Sequence, residues 1–110
     1  MTKLYMYSYK NGVISKEVFD TEITKENVYM PIGENDKSFY EKYNAYPPIP
    51  EDLNYIPEVA ERNGYTMFSL TEDDNVYKEK LCLIFKKELN KLENLCKHYQ
   101  MEIEKIQKAE

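Results

Sequence analysis

The sequence predicts an α+β fold: an antiparallel sheet led by a hairpin, then short middle helices and loops, then one long C-terminal helix. Two observations predict it. The dipeptide Asn11-Gly12 lies between two strand-like runs, which is typical of a two-residue hairpin turn. From Thr71 onward there is no glycine or proline, and apolar residues recur every seven positions. We expect one domain over 1–110, with sheet elements at about 3–32 and 65–70 and a helix at about 72–107.

The hairpin turn determines which residues face each other. A two-residue turn pairs positions at equal distances from it, so Tyr7 is expected opposite Lys16. Side chains alternate along a strand, so the two faces of the hairpin carry different sets. One face holds Tyr5, Tyr7, Tyr9, Ile14, Lys16 and Val18, and the other holds Leu4, Met6, Val13 and Phe19. Both are partly apolar, so we expect one to meet the helix and the other a partner.

The middle of the chain predicts a third strand at Asn27 to Ile32 and a turn at Gly33 to Asp36. A helical turn or two is then predicted from the spacing of Phe39, Tyr40, Tyr43 and Tyr46. The segment from Tyr46 to Pro50 contains three prolines, which end a helix and favour an extended connection.

The second half opens with a predicted short helix from Pro57 to Arg62, closed by a cap at Asn63-Gly64. The run Tyr65 to Leu70 is predicted to be the last strand. Thr71 is the expected N-cap of the long helix, and the three acidic residues after it, Glu72, Asp73 and Asp74, are expected in its first turn.

The long helix carries an apolar heptad seam, typical of a coiled coil. Its a and d positions are Cys82, Phe85, Leu89, Leu92, Cys96, Tyr99, Ile103 and Ile106. Such a helix is about 50 Å long against about 35 Å for a compact domain of this size, so its second half is expected to overhang the sheet. We therefore predict a homo-oligomer, with Leu89, Leu92, Cys96, Tyr99, Ile103 and Ile106 in the interface.

The flanking charges leave the geometry of this seam open. In a parallel pair, Glu88 would meet the partner's Glu93, which is repulsive. An antiparallel pair, or a helix that folds back near Asn90 or Asn94, fits equally well, and a wholly intramolecular seam is a further alternative. Cys82 and Cys96 are too far apart on one helix for a disulfide, so we expect reduced, buried thiols in a cytoplasmic protein.

Composition argues against several functions. The net charge of −5 argues against binding nucleic acid through its phosphates. No apolar run approaches a membrane span, and one histidine with two distant cysteines is too few ligands for a structural zinc site. His98 has no carboxylate at a compelling spacing, and the three glycines form no phosphate-binding loop. We therefore expect neither enzymatic activity nor a cofactor.

Tyrosine is the unusual residue, with eleven copies and no tryptophan. Tyrosine combines apolar area with a hydroxyl, which suits binding surfaces and stacking on a base. We take the proline-flanked residues Tyr40, Tyr43 and Tyr46 as the candidate ligand-binding site, with Arg62 and Lys37 as its cations. The alternative is a satellite aromatic cluster that covers the sheet.

Both ends of the chain resemble a family. The opening KLYMYSYKNGVISKEVFDTE resembles the N-terminal hairpin of small accessory proteins from phages and prophages of low-GC Gram-positive bacteria. The closing YTMFSLTEDDNVYKEKLCLIFKKELNKLE is similar to their strand, acidic cap and long helix.

The resemblance implies a non-enzymatic anti-defence protein in the host cytoplasm. One form is the oligomeric anti-Thoeris sponge, which sequesters a cyclic nucleotide signal, here with lysines such as Lys16, Lys37 and Lys42 as point charges for phosphate. The alternatives are an anti-CRISPR-type inhibitor that binds a host defence protein through an acidic, tyrosine-rich surface, and an accessory protein that associates with itself.

Overall fold

A computed structural model describes residues 1–57 and 64–109 and shows the predicted α+β architecture. Its elements are β1 (Thr2–Lys10), β2 (Val13–Ile23), β3 (Tyr29–Pro31), α1 (Asp36–Tyr43), a 3-10 helix (Pro50–Asp52), β4 (Tyr65–Ser69) and α2 (Asp74–Lys108). The predicted helix from Pro57 to Arg62 and its cap at Asn63-Gly64 lie largely outside the described residues. The chain divides into two compact units, Met1–Tyr77 and Lys78–Glu110.

The hairpin and its register are confirmed. The sheet is antiparallel in the order β3-β2-β1-β4, and β1 pairs with β2 so that Tyr7 faces Lys16. Asn11 and Gly12 both have positive φ (54° and 80°), as a type I′ turn requires. The predicted last strand is confirmed as β4, one residue shorter at its end.

The third strand is shorter than the predicted Asn27 to Ile32. Asn27 has a φ of 59° and donates its N–H to the Thr24 carbonyl, so it belongs to a turn. The predicted turn at Gly33 to Asp36 is also too long, because α1 begins at Asp36. The Asn35 side chain caps that helix by accepting from the Ser38 N–H at 2.7 Å.

The core lies on the sheet face that carries Leu4 and Met6. Both are buried together with Tyr29, Met30, Phe39 and Phe68, and Phe19, Tyr43, Ala45 and Leu53 pack against them. Phe39 of α1 is fully buried, so the short helix covers this face. The predicted partition of the hairpin into two faces holds, since these apolar residues alternate with the tyrosines of β1.

The opposite face carries Tyr7, which the first turn of α2 covers. Tyr7 and Tyr77 are fully buried and stack with their ring centroids 5.1 Å apart. The Tyr77 hydroxyl donates to the Tyr65 carbonyl at 2.6 Å, which ties this turn to β4.

The start of α2 corrects two predictions. Thr71 is not the N-cap, because its N–H and hydroxyl bond to the Ser69 hydroxyl. The cap is Asp73, whose carboxylate accepts from the Val76 N–H at 3.1 Å. Glu72 precedes the helix instead of lying in its first turn, and it pairs with Lys16.

The second unit is one uninterrupted helix through Asn90 and Asn94, so the fold-back alternative is wrong. Cys82 and Cys96 are free thiols as predicted, but both are exposed, which corrects the prediction of buried cysteines. Both cysteines lie on the heptad seam, and the other seam residues are exposed as well, whereas Leu81 and Ile84 of the same helix are buried. None of the helices in the described ranges has a stretch long and apolar enough to cross a membrane.

Candidate functional site

The candidate site lies beside the C-terminal end of α1. Asn44 ends this helix in the left-handed conformation, with φ 55°, and donates its N–H to the Tyr40 carbonyl at 2.6 Å. A left-handed residue turns the chain sharply, and asparagine adopts this conformation at lower cost than most residues. The turn directs the proline-rich segment that follows back across the sheet.

Two backbone hydrogen bonds hold that segment in place. The Pro48 carbonyl accepts from the Tyr29 N–H of β3 at 2.8 Å, and the Asn54 N–H donates to the Phe68 carbonyl of β4 at 2.7 Å. Between these two points the chain has no strand to pair with, so the prolines cost no ladder hydrogen bonds. The segment is anchored at both ends and arches over the sheet.

A cavity of about 580 Å³ lies under this arch. That volume is in the ordinary range for sites that hold a small organic ligand. Its lining residues come from α1, from the chain between α1 and Pro57, and from β4 with the glycine before it: Tyr40, Asn44, Ala45, Tyr46, Pro48, Asp52, Tyr55, Pro57, Gly64, Thr66 and Phe68.

Tyrosines form the accessible wall of the cavity. Tyr40 and Tyr46 stack with ring centroids 4.6 Å apart and planes 26° from parallel. Tyr46 is 74% exposed and Tyr55 is 59% exposed, so both present aromatic surface to an incoming molecule. An aromatic wall of this kind can hold a planar ring by stacking, with tyrosine hydroxyls at its edges as donors or acceptors.

The polar groups of the cavity are few and carry no positive charge. They are the Asn44 amide, the Asp52 carboxylate and the Thr66 hydroxyl, besides the tyrosines. Among the described residues that line the cavity there is no lysine or arginine. The site therefore favours a neutral or hydrogen-bond-donating group inside, with any phosphate kept towards the solvent.

The predicted site residues fall into three groups. Tyr40 and Tyr46 come together in the cavity wall. Tyr43 instead packs against Phe19 and Phe39 at 5.0 Å from each ring, inside the aromatic core. Arg62 lies outside the described residues, two positions along the chain from the cavity residue Gly64.

The lysines predicted to meet phosphate lie beside carboxylates. Lys37 is highly exposed and 4.0 Å from Glu41, and Lys42 is 4.0 Å from Glu34. Lys16 bonds to Glu72 and Asp74, and its bond to Glu72 is the main reason that its pKa is raised. None of the three lines the tyrosine cavity, so they do not form a phosphate site there.

Sequence reasoning missed Tyr55, Asp52 and Thr66. Tyr55 had a usable signal, because it lies between Pro50 and Pro57 in the same irregular segment as Tyr46. Thr66 had none, since its contribution depends on the pairing of β4 with β1.

Other chemistry is not assembled in the described parts of the chain. In residues 1–57 and 64–109, no three histidine, cysteine, aspartate or glutamate side chains are placed so that they could hold a metal ion. His98 is exposed on α2, with its ring centroid 5.5 Å from that of Tyr99. Comparison of the chain with protein-family models, with curated proteins and with solved structures found no match.

Proposed function

We propose that this is a non-catalytic binding protein that takes up a planar aromatic ligand in the tyrosine-lined cavity. The most concrete ligand is the base of a cyclic nucleotide signal, which the protein would sequester from its effector as a phage-encoded inhibitor of bacterial immunity. The tyrosine cavity carries the proposal. The phage setting is supported by the resemblance of both ends of the chain to phage accessory proteins.

Stacking supplies the main attraction in this proposal. A base held against one aromatic side chain gains about 1–3 kcal/mol, and Tyr46 and Tyr55 offer two accessible rings. Because Tyr40 already stacks on Tyr46, part of the entropy cost of orienting that ring is met before a ligand arrives. The Asn44 amide and the Thr66 hydroxyl can bond to the edge of a base.

Charge restricts how a nucleotide would enter. The Asp52 carboxylate lies in the cavity wall and repels phosphate, so the base goes in and the phosphates stay outside. Arg62 is the sole arginine of the chain, and its segment is flanked by two cavity residues, Pro57 and Gly64. A guanidinium is well suited to phosphate, so Arg62 is the residue to test for that contact.

The test is titration calorimetry and native mass spectrometry with a panel of cyclic and ADP-ribose-derived nucleotides. A ligand should add stoichiometrically, and Tyr46→Ala and Tyr55→Ala should each weaken its binding by roughly tenfold, the loss of one stacking contact. Tyr46→Phe should bind nearly as wild type, because the ring remains.

Met101→Ala is the control for this test. Met101 is 57% exposed, close to the 59% of Tyr55, but it lies on α2 outside the cavity and off the heptad seam. Its variant should keep the wild-type affinity. If none of the nucleotides binds at micromolar concentration while the circular dichroism spectrum is intact, the sequestration proposal fails.

A second candidate is an anti-CRISPR-type inhibitor that binds a host defence protein. It is favoured by the Asp52 carboxylate beside the exposed rings of Tyr46 and Tyr55, since tyrosine is enriched in the centres of protein interfaces. Gel filtration with a purified CRISPR effector complex tests it. Co-elution that is lost in both Tyr46→Ala and Tyr55→Ala would support this function, and separate elution would refute it for that target.

A further inference from the structure

The apolar seam of α2 is exposed along its whole length. It comprises the a and d positions of four successive heptads, beginning at Cys82 and ending at Ile106. Leu92 is 63% exposed and Ile106 is 72% exposed, and the remaining members are exposed too. These positions span about 36 Å along one uninterrupted helix. A continuous apolar stripe of this length is a recognised sign of an interaction surface.

We propose that a second copy of this chain covers the seam, with the two α2 helices antiparallel and centred on Asn94. In this register every a position lies opposite a d position, so all eight seam residues of each helix are used. Cys82 then faces the partner's Ile106, and Leu89 faces the partner's Tyr99. This inference is independent of the cavity and of its ligand.

Side-chain size favours the antiparallel pairing. Each small cysteine faces a larger residue, as Cys96 does with the partner's Leu92, so the layers fill evenly. An in-register parallel pair would instead place cysteine on cysteine in two layers and tyrosine on tyrosine in another. The cysteine layers would leave cavities and the tyrosine layer would be overpacked, and both are destabilising.

The distribution of charge along the helix favours the same orientation. Residues 84–91 carry three lysines and one glutamate, whereas residues 97–104 carry two glutamates and one lysine. Antiparallel pairing lays these two segments against each other, and it also opposes the two helix dipoles. A parallel pair would place the lysine-rich segments side by side.

The glutamates that flank the seam do not prevent this pairing. Glu88 would approach the partner's Glu102, and Glu93 would approach the partner's Glu93 at the centre of the pair. All three lie on the flanks of the seam, which stay open to water, and Glu88 and Glu102 each have a lysine on their own helix. The Lys91 ammonium lies 3.1 Å from Glu88, and the Lys105 ammonium lies 3.5 Å from Glu102. These exposed ion pairs and the screening by salt reduce the repulsion at ordinary ionic strength.

The area available is sufficient for a stable dimer. The six large seam side chains each expose on the order of 100 Å², which with Leu95 beside them gives roughly 700 Å² of exposed side chain per protomer, close to the area that stable complexes bury on each partner. The surface is also self-complementary, which a two-fold dimer requires.

Sedimentation velocity on the full chain tests the association. The wild-type protein should be a dimer at micromolar concentration, and Leu92→Glu should weaken dimerisation by at least roughly tenfold, because it buries an unpaired charge. Leu83→Glu is the matched control, since Leu83 is 58% exposed on the same helix but lies off the seam. This variant should stay dimeric. A monomeric wild type, or a Leu92→Glu variant that dimerises normally, would overturn the proposal.

Mild oxidation tests the orientation. The wild-type chain should form no interchain disulfide, because Cys96 lies one helical turn from the partner's Cys96, beyond bonding distance. Leu92→Cys places a thiol opposite the partner's Cys96, so this variant should cross-link to a dimer on a non-reducing gel. Cross-linking of the wild type through its own cysteines, or none in the Leu92→Cys dimer, would overturn the antiparallel arrangement.

Discussion

The Tyr7 hydroxyl donates a hydrogen bond to the Asp74 carboxylate at 3.0 Å, across 67 positions of sequence. The same hydroxyl accepts from the Asp73 N–H at 2.9 Å. One side chain of the central hairpin therefore bonds to two successive residues at the N-terminus of α2. Lys16, opposite Tyr7 on β2, adds contacts to Glu72 and Asp74, so the pairing of β1 with β2 determines where the long helix begins.

Removing this hydroxyl should destabilise the first unit. Tyr7→Phe keeps the stacked ring but leaves the Asp73 N–H and the Asp74 carboxylate without this partner, and we expect a loss of about 1–3 kcal/mol. Urea unfolding at one fixed protein concentration measures it. Tyr5→Phe, two positions earlier on the same face, is the control and should change stability by less than about 0.5 kcal/mol. Equal losses in the two variants would contradict this role of Tyr7.

Alkaline pH should weaken the fold through the same tyrosines. Burial raises the pKa of Tyr7, helped by its bond to Asp74, and burial also raises the pKa of Tyr77. In the unfolded chain both groups ionise near their ordinary pKa of about 10, before they do so in the folded protein. Stability is therefore complete below that pH and falls above it, by up to about 1.4 kcal/mol per pH unit for each tyrosine.

The measurement is the urea midpoint as a function of pH from about 8 to 11.5, which covers the ordinary pKa of tyrosine. Tyr7→Phe should show a shallower decline than wild type, because one of the two shifted groups is gone. Lys16 contributes in the same direction, since its raised pKa means that its contacts with Glu72 and Asp74 are lost as the pH rises through that value. A midpoint that does not change across this range would show that neither tyrosine is buried in solution.

The N-cap of α2 is Asp73 in the structure, whereas the sequence pattern predicts Thr71, and the two assignments predict different effects of mutation. Asp73→Ala should cost about 1 kcal/mol, because the Val76 N–H loses its acceptor, whereas Asp73→Asn should cost much less. Thr71→Ala should cost less than Asp73→Ala, since Thr71 bonds to Ser69 and not to the helix. Urea unfolding of the three variants decides between the two caps. If Thr71→Ala lowered the free energy of unfolding more than Asp73→Ala, Thr71 would be the N-cap, as the sequence alone predicts.

Local signals predict two of the elements. The turn at Asn11-Gly12 predicts the hairpin and the heptads predict the long helix, and the structure confirms the register of the hairpin and a helix over Asp74–Lys108. The identity of the N-cap of α2 is not a local matter in this sense. Any of the four consecutive polar residues 71–74 could cap the helix, and the choice depends on which of their side chains bond to other residues. Thr71 bonds to Ser69, two residues earlier, and Glu72 pairs with Lys16, a contact between residues far apart in sequence that exists only in the folded unit.

The candidate site was predictable only in part, for the same reason. Tyr40 and Tyr46 were found from composition and the nearby prolines, and the structure brings them together. Tyr43 has the same helical spacing and equal aromatic character, yet it packs in the core because Phe19 of β2 lies opposite it. The sequence of α1 alone does not distinguish Tyr43, which packs against the sheet, from Tyr40, which lines the cavity.

Gly64 gives the sharpest test of the way β4 closes the cavity. It has a φ of 76°, and a Cβ at this position would lie 2.2 Å from the Tyr9 carbonyl oxygen, which is backbone and cannot move aside. Gly64→Ala should therefore cost well above the roughly 1 kcal/mol of a left-handed alanine alone. Gly33→Ala is the control, because Gly33 has a φ of 86° but open space around its Cβ position. Thermal unfolding should show a clearly larger decrease for Gly64→Ala, and equal decreases would mean that β4 does not approach Tyr9 this closely in solution.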